Sequence, residues 1–273
     1  MTQMANKILM HTWTFRTYSA EDALKAAARW GYDGIELYTG AHYGVDGLVD
    51  KKGQIAKSLR DYGVSMVAVT FGSPATSRNA EERKAGLSKI RILIGVLKDL
   101  GVSIINTSPG APPSKRATDE DYRLASEYFS EVGDFLKGED LTLAFEIHMG
   151  VLTDTAASTV KLLKLIGNKK IVANWDPGNM YATEGAERPQ EAFQIVKDYM
   201  GYMHVKNCKK IGDEYVWSCA LEDGDLDFNM IFSMLRSINY SRPLCIEYSG
   251  LGDPNVVASK DIKYLRELLK RTS

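Results

Sequence analysis

Long apolar runs are missing from this chain. No stretch approaches the roughly 20 residues that span a bilayer, and the opening MTQMANKILMHTWTF lacks an apolar segment followed by a small-residue cleavage site. A cytoplasmic protein with no membrane partner is therefore expected. Cysteine is scarce: Cys208, Cys219 and Cys245 are odd in number and have no CxxC spacing, which argues against a disulfide framework or a thiolate zinc site and suits a reducing compartment. The net charge is -1 and no block of one sign occurs, so the electrostatic footprint of a nucleic-acid binder is absent. No GxGxxG or GxxxxGK[ST] follows the first apolar run, which argues against a doubly wound nucleotide-binding sheet. No Pro/Ser/Gly-rich linker divides the chain, and residues 1–273 are expected to form one domain.

What is present is alternation. Short apolar runs (KILMHTW, GIELY, VSMVAVTF, VSIINTS, LTLAFEIH, IVANWD, YMHVKN and PLCIEY) are separated by longer amphipathic segments, the pattern of βα units around a parallel sheet buried on both faces. Eight such strands fill a (β/α)8 barrel, and 273 residues match its usual length of roughly 250. Helix starts are marked by Ser19 with Asp22 and by the TDED stretch from Thr118. The repeated turns DYGVS at 61–65 and DLGVS at 99–103 place glycine where a helix needs a left-handed residue before a strand. The turn-rich SPGAPPSKRATDED from Ser108 reads as a long strand-to-helix loop, either a substrate lid or plain surface structure.

Four of the apolar runs end on a residue able to ligate a cation: Glu146, Asp176, His204 and Glu247. A charged residue closing a strand is often only its polar cap. Four in succession, each at the same place on its unit, are predicted to converge above the C-terminal face of a barrel. Three carboxylates and one imidazole, without thiolate, favour one hard or intermediate divalent ion, Mn2+ or Mg2+ first, with Co2+ or Zn2+ as alternatives. Such an ion polarises a carbonyl and stabilises the oxygen anion formed when a neighbouring C–H loses its proton, which is ene-diolate chemistry. Glu146 and Glu247 are predicted to flank the ion as paired bases.

His148 lies two residues beyond Glu146 and Lys206 two beyond His204, so each shares a strand face with its ligand and is a candidate assistant in proton transfer. Each is also a plausible loop residue, and Lys209 and Lys210 read as a solvated face. At the other rim His11, Trp13, Glu36, Tyr38 and Asn106, together with Asn179 beside Asp176, are expected to complete a polar substrate pocket with aromatic walls. Acidic Glu222, Asp223, Asp225 and Asp227 argue against a phosphorylated substrate, although Gly250 and Gly252 offer backbone donors.

These motifs resemble the xylose isomerase-like barrel superfamily, and within it the sugar phosphate isomerase/epimerase family. The resemblance covers almost the whole chain and rests on Glu146-Ile147-His148 with GVLTDT, Asp176-Pro177-Gly178-Asn179, His204-Val205-Lys206-Asn207, EDGDLDF from Glu222, and Ile246-Glu247. It implies a TIM barrel holding a divalent metal through Glu146, Asp176, His204 and Glu247. The implied chemistry lies beside the carbonyl of a small sugar, inositol or polyol. Isomerase or epimerase is the leading expectation; the alternative is a lyase or dehydratase on a 3-keto sugar, keto-glycoside or keto-inositol. Asn179 stands where ketose 3-epimerases usually carry histidine, and Asn207 where the third motif commonly has aspartate. An endonuclease IV-like DNA repair hydrolase is the remote alternative, opposed by a chain with only His11, His42, His148 and His204. A homo-oligomer is compatible with these residues.

Overall fold

The computed structural model describes residues 6–271. The predicted apolar runs become β1 (Ile8–His11), β2 (Gly34–Tyr38), β3 (Ser65–Thr70), β4 (Ile104–Thr107), β5 (Thr142–Glu146), β6 (Ile171–Trp175) and β7 (Met200–Val205). A hairpin, β8 (Lys209–Ile211) and β9 (Glu214–Val216), interrupts the series before β10 (Leu244–Ile246). The eight strands β1 to β7 and β10 close a parallel barrel, in which β5, β6, β7 and β10 are consecutive neighbours. That adjacency follows from short right-handed βα connections, and it places the four candidate ligands on one arc of the rim.

Around the barrel lie α1 (Ala20–Trp30), α2 (Gly44–Asp50), α3 (Lys52–Tyr62), α4 (Ala80–Asp99), α5 (Asp119–Phe135), α6 (Ala156–Ile166), α7 (Pro177–Tyr181), α8 (Pro189–Val196), α9 (Phe228–Ser237) and α10 (Pro254–Arg271). The predicted caps form. Ser19 and Asp22 make a reciprocal capping box, and the Asp121 carboxylate accepts from the backbone N–H and the hydroxyl of Thr118. Gly63 and Gly101, at φ of 65° and 71°, occupy the left-handed conformation that the repeated turns require.

Along each strand, alternate side chains point into the barrel. The lower interior is apolar, with Leu9, Val67, Ile104, Ala144 and Cys245 in one cluster. Towards the C-terminal end the interior turns polar: Glu36, Asn106, Asn174 and His204 are all fully buried. No described helix is long and apolar enough to cross a membrane.

The loop from Ser108 is tied down rather than poised above the barrel. Gly110 accepts a hydrogen bond from the Leu152 N–H, Asp154 accepts from the Ser114 N–H, and none of the loop's residues lines the central pocket. The sequence reading had no place for the β8–β9 hairpin. Its signal was present: Gly212-Asp213 between two short alternating stretches is a two-residue hairpin turn.

Candidate metal centre

Glu146 closes β5, His204 lies one residue before the end of β7, and Asp176 and Glu247 directly follow β6 and β10. The structure brings all four together, each offering a ligand atom within 4.8 Å of the others. Asp176 caps α7 by accepting from the Asn179 N–H at 2.8 Å, which aims its second oxygen, Oδ2, at the cluster. His204 Nδ1 lies 3.6 Å from Glu146 Oε1, 3.8 Å from Asp176 Oδ2 and 3.3 Å from Glu247 Oε2.

Whether these residues suit a cation is decided by an orphan. His204 Nδ1 is buried and, among the described residues, has no hydrogen-bond partner, a costly arrangement for an imidazole nitrogen unless something else engages it. Three carboxylates surround that nitrogen, with Lys206 the one ammonium among them, so a divalent cation would relieve both the orphan and the excess negative charge. The donor set fits a divalent ion.

The electrostatics of the cluster follow from burial opposed by neighbouring charge. Burial pushes the Glu247 carboxyl up, but Lys206 and His204 outweigh it and hold it well below the usual range. Burial likewise opposes His204 in lowering Glu146, whose net shift is downward. For Asp176 burial prevails over Lys206, and its carboxyl is raised. His204 is lowered by burial but raised more strongly by Glu36 and Glu146. Lys206 Nζ lies 2.9 Å from Glu247 Oε2 and 3.3 Å from Asp176 Oδ2, and these carboxylates raise it despite its burial.

Above the cluster opens a pocket of about 330 Å3. Glu146, Glu247, Lys206, His148 and Asn179 form its polar floor, with Trp13, Tyr38, Met149 and Trp217 as walls. His11 also reaches it. Asn179 donates from Nδ2 to Glu146 Oε1 at 3.0 Å and to Asp176 Oδ2 at 2.8 Å. The His148 Nδ1 lies 2.9 Å from the Met149 carbonyl oxygen; a carbonyl only accepts, so Nδ1 carries the proton and Nε2 is left as an acceptor.

Two residues expected to touch substrate are placed elsewhere. Glu36 and Asn106 are fully buried and do not line the pocket. Their strand positions point them into the barrel, but beneath the ligands: Asn106 donates to Glu146 Oε2 at 3.1 Å, and Glu36 accepts from His204 Nε2 at 2.8 Å. Among the pocket residues, Trp217, Met149, Thr70 and Ser249 escaped the sequence reading; Trp217 follows directly on the unrecognised hairpin. Of the two backbone donors considered for a phosphate, Gly250 and Gly252, the Gly252 N–H is already engaged, donating to the Tyr248 hydroxyl.

The family profile of the xylose isomerase-like TIM barrel matches residues 24–268. The chain belongs to that family. Among curated relatives, the inosose dehydratase of Clostridium perfringens is 25% identical over 170 residues, covering 55% of this chain and 55% of that protein. The match thus spans just over half the length of the relative. Among solved structures, a xylose isomerase-like TIM barrel protein from Mycobacterium smegmatis in complex with magnesium has a TM-score of 0.81 at 18% identity, covering 100% of this chain and 99% of its own. The 3-keto-D-glucoside 4-epimerase from E. coli has a TM-score of 0.78 at 17% identity, with coverage of 96% and 99%. At such identities the structures establish the shared fold.

Proposed function

We propose that this family member is a divalent-metal-dependent enzyme that moves a proton at the carbon beside the carbonyl of a small sugar or related polyol. One observation carries the reading. Of the four clustered side chains, only Glu146 and Glu247 open onto the pocket, at 13% and 10% exposure, whereas Asp176 and His204 are at 0%. Two carboxylates thus face the space where substrate sits, and the third carboxylate and the imidazole are confined to holding.

A metal bound by Glu146, Asp176, His204 and Glu247 would supply Lewis acidity at the substrate carbonyl, with Mn2+ the first candidate. Lys206, fixed between Asp176 and Glu247, favours the charged form of both carboxylates, outweighing burial at Glu247 but not at Asp176, and presents its ammonium to the pocket floor. Glu146 and Glu247 are each held by a second partner, Asn106 and Ser249 respectively, so each carboxylate has a fixed orientation. One takes the proton from the reacting carbon and the other returns it, which is the arrangement an isomerase or epimerase needs. The aromatic walls pack on the C–H face of the substrate and exclude water from it.

A lyase outcome is the second reading, favoured by His148 and by the curated relatives named inosose dehydratase. With Nδ1 turned to Met149, His148 Nε2 is an available base at the pocket. Proton removal followed by loss of a β-hydroxyl as water would leave an unsaturated ketone. The nucleic-acid hydrolase alternative meets a cluster with a single imidazole.

The test is deuterium uptake from D2O into a panel of ketoses, 3-keto sugars and keto-inositols with added Mn2+, using a Glu247→Gln control. Uptake that requires metal and vanishes in the control supports the proposal, and product mass separates the outcomes, since elimination loses water while epimerisation keeps substrate mass. Tight metal binding without uptake on any substrate would overturn it.

A further inference from the structure

Glu36 sits beneath the candidate ligands, fully buried and outside the pocket, on a strand from the far side of the barrel. Both its oxygens are used. Oε1 accepts the Thr70 hydroxyl, with His11 Nε2 3.5 Å away, and Oε2 accepts the Tyr202 hydroxyl at 2.6 Å and His204 Nε2 at 2.8 Å. A buried carboxylate is expensive unless donors surround it. Here they do, so Glu36 remains an ion in a fixed orientation.

The consequence falls on His204. An ionised carboxylate only accepts, so the shared proton belongs to Nε2, and Nδ1 is the ring nitrogen left to exchange its proton for a cation. Nδ1 is the orphaned nitrogen that faces Glu146, Asp176 and Glu247. The ring plane is fixed by edge-on contacts with His11 at 5.3 Å and Tyr202 at 5.4 Å between centroids. His11, Glu36 and His204 also form a ligand-competent group of their own. Its burial, and the claim of Thr70 and Tyr202 on both Glu36 oxygens, leave it as a support rather than a second ion site.

We propose that Glu36 is a positioning residue which, held by Thr70 and Tyr202, grips His204 through Nε2–H so that Nδ1 is the atom offered to a divalent cation. The proposal rests on the metal reading given above. A negatively charged acceptor also makes the imidazole a stronger donor, and loss of such outer partners typically costs about 10–100-fold in metal affinity.

Mn2+ affinity, measured calorimetrically on the full chain after chelator dialysis, tests this in wild type, Glu36→Gln and Tyr202→Phe. Glu36→Gln, which keeps the shape but removes the charge, is expected to raise the dissociation constant about 10–100-fold with an unchanged circular dichroism spectrum. Tyr202→Phe, which leaves the Glu36–His204 bond in place, should shift it by a smaller factor. Ring nitrogen NMR of Zn2+-loaded wild type should show His204 protonated on Nε2 and not on Nδ1; a structural filler would impose no such tautomer. A folded Glu36→Gln that binds Mn2+ like wild type overturns the proposal, and so does an Nδ1-protonated ring. If the variant does not fold, the wild-type ring spectrum decides alone. Wild type that binds neither ion overturns the metal reading itself, whereas normal wild-type binding with an unaffected variant overturns only the role of Glu36.

Discussion

A Cβ added to Gly178 would stand 2.6 Å from the carbonyl oxygen of Lys206 and 3.2 Å from Asp176 Oδ1. The turn after β6 and the end of β7 therefore touch through the only residue type without a side chain. This contact sets the spacing between Asp176 and Lys206, whose charged groups meet at 3.3 Å.

Gly178→Ala must push backbone rather than a flexible side chain, so a loss of about 1–3 kcal/mol is expected from overpacking. Mn2+ affinity should fall with it, because Asp176 moves. Urea unfolding and calorimetry read both effects, and an alanine variant as stable as wild type would show that the close approach is not a constraint.

Lys206→Met removes the ammonium shared by buried Asp176 and partly buried Glu247. Breaking a buried pair costs about 3–5 kcal/mol because charge is left uncompensated, and a cation bound to the same carboxylates should restore part of it. The melting temperature should drop sharply without metal and recover on adding Mn2+ by more than wild type gains. Equal losses with and without Mn2+ would place the damage elsewhere.

Asp261 on α10 is buried and accepts the Leu221 N–H at 2.8 Å. Burial raises its carboxyl to about 7 from an ordinary 3.8. Between these values the unfolded chain has released the proton while the folded protein keeps it, so stability is lost as pH rises from about 4 to about 7 and is fully present only below that window. Asp261→Asn retains the acceptor without the charge. It should match wild type near pH 4 and exceed it at pH 8, by up to a few kcal/mol. A difference that is the same at both pH values would remove Asp261 as the cause.

Trp217→Ala opens one wall of the pocket and removes the ring whose centroid lies 5.4 Å from Lys206 Nζ. With a substrate found in the exchange assay, KM should rise about tenfold, the order expected for a lost aromatic contact and cation–π pair, while kcat changes less. A collapse of kcat at constant KM would instead place Trp217 with the proton-transfer groups.

The four clustered residues were legible because ligand type and position at the end of an apolar run are local properties. His148 and Lys206 followed by the same rule, since residues two apart share a strand face. Glu36 and Asn106 were expected to line the substrate pocket, yet depth separates a residue that meets substrate from one that supports a ligand, and both lie below the pocket. Depth depends on how neighbouring strands are staggered, which no single strand records. Trp217 reached the pocket only through a hairpin that lies outside the βα rhythm, and the Gly252 donor was spent on Tyr248, four residues earlier in sequence but adjacent only after folding.

By itself the sequence determined the barrel and the arc of ligand types on its rim, because alternation of short apolar runs with capped amphipathic segments admits few other parallel arrangements. The tertiary structure alone decided which nitrogen of His204 faces the carboxylates. That choice belongs to Glu36, 168 positions away in sequence, and a side chain's hydrogen-bond partner across a barrel exists only once the barrel has closed.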